Sequence, residues 1–144
     1  MAKERMVGFE LRTVNNLIKR YIDAKRPPEL DCSTGIHGWA LHFFYENRDK
    51  DVFQRDFEQR FSIRRSTATN MLKLMEKNGL INRVAVDCDA RLKKIVLTEK
   101  AIKINKMIIN DIEKCEENLR NGIEKEELDS FFNTLDKIKA NLEV

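Results

Sequence analysis

Apolar positions near the start of the chain recur at helical spacing. Phe9, Val14, the pair Leu17-Ile18 and Tyr21 recur at spacings of three to five residues, which predicts a helix over Arg5–Lys25. Arg26-Pro27-Pro28 ends it, because proline lacks a donor and pushes the residue before it out of the helical region. Ser33 or Thr34 can cap a second helix through Trp39, Leu41, Phe43 and Phe44 to about Asn47. That segment is apolar on more than one face and is expected to be central. A short third helix is predicted from Asp51-Val52-Phe53-Gln54 to near Phe61, with Asp51 accepting from the open N–H groups and Gln54 at the reciprocal capping position. After a tight turn at Ser62-Ile63, a fourth helix runs from about Arg65 to Lys77. Ala68, Met71, Leu72 and Met75 form its buried stripe, and Asn78-Gly79 closes it.

At Leu80 the pattern changes. Leu80–Val86 and Leu92–Leu97 are rich in Val, Ile and Leu, with the polar turn Asp87–Arg91 between them, which predicts a β-hairpin. Thr98-Glu99 then offers a hydroxyl cap and a first-turn acid for a long helix. Its apolar seam is Ala101, Ile104, Ile108, Ile112, Cys115 and Leu119. Asn121-Gly122 breaks that helix, and a last one shows Leu128, Phe131 or Phe132, Leu135, Ile138 and Leu142. The fold class is therefore mainly α with a small β-hairpin, in the order α-α-α-α-β-β-α-α. A Gly-rich strand–loop–helix unit is absent, which argues against a parallel-sheet enzyme.

Hydrophobic residues make up 42% of the 144 residues and charged ones 35%, enough for a core and too charged for a membrane protein. No apolar run approaches the ~20 residues of a membrane helix, and Met-Ala-Lys-Glu-Arg-Met has no signal-peptide character. A cytoplasmic protein is expected. The three cysteines, Cys32, Cys88 and Cys115, are odd in number and widely spaced, which fits reduced thiols better than a disulfide framework. Net charge is only +3, but its distribution is uneven. Residues 48–94 carry 12 basic and 7 acidic side chains, whereas residues 95–144 carry 8 and 11. The positive excess that a polyanion partner needs lies on the third and fourth helices and the hairpin.

Helix three, a tight turn and helix four form a helix-turn-helix, whose second helix would lie in a major groove. Arg65, Ser66, Thr67, Thr69, Asn70 and Lys73 fall largely opposite the apolar stripe. Arg65 can take guanine bidentately and Asn70 adenine, while the hydroxyls and Lys73 hold phosphates. On the hairpin, Asp89 and Arg91 project to one side, so the carboxylate can orient the guanidinium toward a narrow minor groove, with Lys93 and Lys94 as phosphate partners.

Ile63-Arg64-Arg65-Ser66-Thr67-Ala68-Thr69, then Leu74-Met75-Glu76-Lys77-Asn78-Gly79-Leu80-Ile81 with Arg83, then Asp89 with Arg91, and Val96-Leu97-Thr98-Glu99-Lys100 resemble the winged-helix core of MarR-type transcription regulators. The resemblance spans nearly the whole chain. It implies a winged helix-turn-helix lobe over residues 34–98, with dimerisation helices over 1–32 and 99–144. It also implies a homodimeric repressor on a pseudopalindromic double-stranded operator, contacted through Thr67, Thr69, Asn70 and Arg91. The chain departs from the family at Arg64, where a small hydroxyl cap is frequent, so Arg64 is a candidate phosphate contact. Cys88 in a short wing tip is a second departure.

Relatives respond to small aromatic or anionic molecules, which implies an effector site lined by the first two helices. His37, Trp39, His42 and Tyr45 are the candidates here, and each also fits a core or interface position. Others sense oxidants through cysteine. Cys32 lies near Lys25 and Arg26, which can lower a thiol pKa, and Cys88 sits on the wing. His37 and His42 are five apart, not the spacing of two metal ligands on one helix face, so neither metal nor cofactor is expected. With no nucleophile–base pair or phosphate loop, an enzyme is not expected. The alternative to a DNA-binding regulator is a winged-helix module that binds a protein partner without DNA.

Overall fold

The computed structural model describes residues 4–25, 36–86 and 89–143. They form six helices and one antiparallel hairpin: α1 (Val7–Ala24), α2 (Ile36–Glu46), α3 (Gln54–Phe61), α4 (Arg65–Lys77), β1 (Ile81–Val86), β2 (Asp89–Leu97), α5 (Glu99–Arg120) and α6 (Lys125–Leu142). The elements follow the predicted order. The chain divides into two compact units, Met1–Asp111 and Ile112–Val144.

The core of the first unit gathers Leu41 and Phe44 of α2, Phe57 of α3, Leu72 and Met75 of α4, Ile81 of β1 and Ile95 of β2, all buried. Fully burying a side chain of this size contributes about 1.5–3 kcal/mol. Four phenylalanines bind α2 to α3: the Phe44–Phe57 ring centroids are 5.3 Å apart and those of Phe43–Phe61 5.7 Å, both in the tilted or edge-on geometries that aromatic quadrupoles favour. The α4 stripe is the one predicted, with Ala68, Met71, Leu72 and Met75 buried.

The start of α3 differs from expectation. Phe53, not Asp51, is the N-cap, and the Asp56 carboxylate accepts from the Phe53 N–H at 2.9 Å. That is half of a capping box, since phenylalanine has no acceptor for the other half. Gln54 is thereby freed for a different contact. Asp51 instead lies 3.6 Å from Lys94.

Helices α3 and α4 end alike. In α4 the Gly79 N–H bonds to Glu76 O at 3.1 Å and the Leu80 N–H to Met75 O at 2.9 Å, with Gly79 at φ +73°. In α3 the Ser62 N–H reaches Gln59 O at 3.4 Å and the Ile63 N–H reaches Glu58 O at 3.1 Å, with Ser62 at φ 51°. Both are Schellman closures, one with glycine and one with serine in the left-handed position. That closure makes the helix-turn-helix corner.

The hairpin pairs Ile81 with Leu97 and Ala85 with Lys93, then slips in register between Ala85 and Val86. Strand β2 starts at Asp89, three residues before the predicted Leu92, so Asp89 and Arg91 stand on the strand and not in the turn. Its stem is tied down where the Ile95 N–H donates to Val52 O at 2.7 Å.

Thr98 caps α5 as predicted, its hydroxyl oxygen accepting from the Ala101 N–H at 3.2 Å. Along α5 Ala101 is buried, while Ile104 and Ile108 are partly covered. Asn105 shares this stripe and is 1% exposed, a polar member that the apolar pattern does not include. In the second unit, Gly122 at φ +78° separates the end of α5 from α6, and Phe131 and Phe132 remain about half exposed. On α1 Val7, Phe9 and Leu17 are likewise exposed. Among the described residues, no helix is long and apolar enough to cross a membrane.

Candidate nucleic-acid interface

Arg64 is the N-cap of α4, with extended backbone and no capping bond from its side chain. Its carbonyl accepts the first helical bond, from the Ala68 N–H at 3.0 Å. The N–H groups of the first turn have no partner inside the helix, so this end of α4 favours an anion. Arg64, Arg65, Ser66, Thr67, Asn70 and Lys73 are all exposed. Thr69 is only half exposed, because it turns toward α3: the Gln54 Nε2 donates to Thr69 Oγ1 at 2.9 Å and lies 3.4 Å from the Arg65 carbonyl.

Between α3, the start of α4 and the hairpin lies a cleft of about 410 Å³. Arg55, Arg65, Arg83, Arg91 and Lys93 line it, against one acid, Glu58. Five cations on low-dielectric walls make a focused positive field. Arg91 and Lys93 share the parity of buried Ile95 on β2 and line the cleft with it, whereas Lys94 stands on the other face beside Asp51. Of the two lysines predicted as phosphate partners, the cleft holds Lys93 alone.

Asp89 does not orient the Arg91 guanidinium as expected. Its Oδ1 accepts from the backbone N–H of Arg91 at 2.9 Å, and among the described residues no ion pair joins the two side chains. The carboxylate shapes the strand entry as an Asx turn, and the guanidinium extends from it, exposed.

Sequence reading passed over Gln54 and Arg55 of α3 as parts of this face. It quoted Arg83 only within a motif. A signal for Arg83 was available: it shares strand parity with buried Ile81, and an arginine at an inward position needs a polar space. Its Nε lies 3.5 Å from a Glu76 carboxylate oxygen, and Nε and Nη2, both buried, make no hydrogen bond. Gln54 gave no local signal, since its partner is on the next helix.

The effector candidates on α2 are half-buried where described. Trp39, His42 and Tyr45 follow one another in three-residue steps. His42 Nε2 is 3.4 Å from Glu46, its Nδ1 is buried without a hydrogen-bond partner, and Arg48 stacks 4.0 Å from the Tyr45 ring centre. The side chain of His37, and Cys32 and Cys88, lie outside the described residues.

Residues 34–92 match the sequence profile of the MarR family. That span holds α2, α3, α4, β1 and the start of β2, which is the whole of the helix-turn-helix and the wing tip. That lobe is of MarR type. Similarity to solved members extends beyond the profile. The transcription regulator MarR from Oenococcus oeni PSU-1 is 28% identical, over 94% of this chain and 99% of that one, with a TM-score of 0.78. MepR of S. aureus in a DNA complex is 23% identical, over 96% and 97%, with a TM-score of 0.86. PcaV of Streptomyces coelicolor, in complex with its natural ligand, is 17% identical, over 99% and 100%, with a TM-score of 0.83. The last two establish the MarR winged-helix fold over the helices that flank the profile match. Together these likenesses support a DNA-binding transcription regulator of MarR type.

Proposed function

We propose that this MarR-type chain is a homodimeric, cytoplasmic repressor that grips a pseudopalindromic duplex and lets go when an effector or oxidant acts on it. The observation that carries the DNA contact is the five-cation cleft beside the exposed, polar start of α4. In this reading Arg65 and Asn70 meet base edges, while Arg64, Ser66, Thr67 and Lys73 meet phosphates. Arg91 enters a minor groove, where negative potential is strongest, with Lys93 on the adjoining backbone. The fold shared with MepR, whose complex holds DNA, supports it.

Residues 34–98 would be the reading lobe, and the segments 1–32 and 99–144 the dimerisation arms. Support for the arms is the set of exposed large apolar side chains on α1 and on α6, of the kind that marks protein–protein contact. A two-fold pair would set half-sites about one helical turn apart. Effector release is supported by the ligand-bound PcaV and by PefR, a heme sensor 27% identical over 92% of this chain, with a TM-score of 0.62. The half-buried Trp39, His42 and Tyr45 are the residues proposed to meet an aromatic or anionic molecule, with His37 beside them. Cys32 and Cys88 are the proposed oxidant targets.

Fluorescence anisotropy with duplexes tiled across the DNA flanking the gene tests the reading. One duplex should bind far more tightly than random sequence. Asn70→Ala should lose about 1–3 kcal/mol of base discrimination, and Arg91→Ala should bind more weakly with a shallower salt dependence. Sequence-specific binding untouched by either change would refute the contacts. No specific duplex at any salt would favour the protein-binding alternative.

A further inference from the structure

Thr69 carries a chemistry that the charge of the cleft does not explain. The side chain of Gln54, the first residue of α3, crosses to α4, with Nε2 2.9 Å from Thr69 Oγ1 and 3.4 Å from the Arg65 carbonyl. A carbonyl oxygen can only accept, so the end of the amide facing it is the NH2 group. One of its hydrogens serves Arg65 and the other serves Thr69. Thr69 Oγ1 therefore already accepts on one of its two lone pairs, while its own hydrogen is uncommitted. Thr13 and Thr134 spend theirs on the carbonyls of Glu10 and Ser130, at 2.9 Å each. Thr69 makes no such bond back into its helix, and it sits half-exposed beside Asn70.

We propose that Gln54 polarises Thr69 into a hydrogen-bond donor, so that this position of α4 selects a base with an acceptor on its major-groove edge. Guanine, with N7 and O6, adenine, with N7, and thymine, with O4, satisfy it. Cytosine presents only the N4 donor there and is disfavoured. Gln54 is a positioning residue that touches no base, and its effect reaches the DNA through the direction of one hydroxyl. The inference rests on the DNA-binding reading above.

Selection of the full-length protein on a randomised duplex library tests it, comparing wild type with Thr69→Ser, Thr69→Val, Gln54→Ala and Gln54→Glu, each checked for folding by circular dichroism. Wild type and Thr69→Ser should share one position where cytosine is disfavoured against the other three bases. Thr69→Val should lower that preference about five- to tenfold while leaving the other positions intact. Gln54→Ala should relax the same position. Gln54→Glu is the sharpest arm: a carboxylate only accepts, so Thr69 must donate inward and turn its lone pairs to the groove, and the preference should move to cytosine or to the adenine N6 donor. A structural role alone would lower affinity without changing base identity at one position. If Thr69→Val selects the same bases with the same strength, or Gln54→Glu still disfavours cytosine, the inference is wrong while DNA reading stands. If wild type enriches no sequence, both fall together.

Discussion

The Thr98 hydroxyl lies 2.7 Å from the Gly79 carbonyl, joining the first turn of α5 to the closure of α4. The same oxygen accepts from the Ala101 N–H, and Lys100 Nζ adds a bond to the Asn78 carbonyl at 2.9 Å. One threonine thus caps a helix and satisfies a carbonyl at the end of another. Thr98→Val keeps the shape and removes both functions. It should cost about 1–2 kcal/mol in urea unfolding at fixed protein concentration, with Thr98→Ser retaining most of the stability.

The two Schellman closures predict opposite signs. A Cβ at Gly79 would meet nothing within 4 Å, so Gly79→Ala suffers only from its positive φ and should lose about 1 kcal/mol. At Ser62 the strain is already present, and Ser62→Gly should gain about 0.5–1 kcal/mol. Thermal melts of the two variants against wild type check this. Equal shifts of the same sign would mean that backbone conformation is not what sets the cost.

Glu58 is the single acid lining the cleft. Glu58→Gln should raise DNA affinity about threefold at low salt, and less as salt rises and screens the field. Arg55→Ala should weaken binding and lower the slope of log K against log salt by about 0.9 for a lost phosphate contact. Titrations at four salt concentrations separate the two effects.

On α6, Phe131 and Phe132 stand with ring centres 5.9 Å apart and about half their surface in water. Phe131→Glu should dissociate the proposed dimer, seen as monomer in sedimentation velocity at micromolar concentration. The variant should also lose most affinity for a two-half-site duplex while keeping its weaker affinity for one half-site. A wild-type chain that sediments as monomer would overturn the dimer.

Much of this architecture was legible because it is local. Ala68, Met71, Leu72 and Met75 announce α4 by spacing alone, and Asn78-Gly79 announces its end. Thr98 is readable as a cap because a hydroxyl precedes an acidic first turn. What sequence misplaced depended on contacts between distant segments. Asp51 has the right chemistry for a cap, but Lys94 of β2 stands beside it and Asp56 does the capping. Aspartate usually marks a turn, so Asp89 hid the true start of β2; its side chain bonds to the next-but-one amide and lets the strand begin there. For Thr69 the helical wheel gives the outward face correctly to its neighbours, but cannot show that Gln54, fifteen residues earlier, holds its hydroxyl. The cleft draws on four elements at once, and no single stretch of sequence displays its five cations together.

The bond from the Ile95 N–H to the Val52 carbonyl is main chain at both ends. No side chain takes part, so the bond does not depend on which residues the wing tip carries, while the buried Ile95 side chain anchors the same stem in the core. The wing is therefore mounted like an interchangeable tool head: its tip can be rewritten, by mutation or by grafting from another regulator, while the mount that fixes its place beside α3 stays as it is.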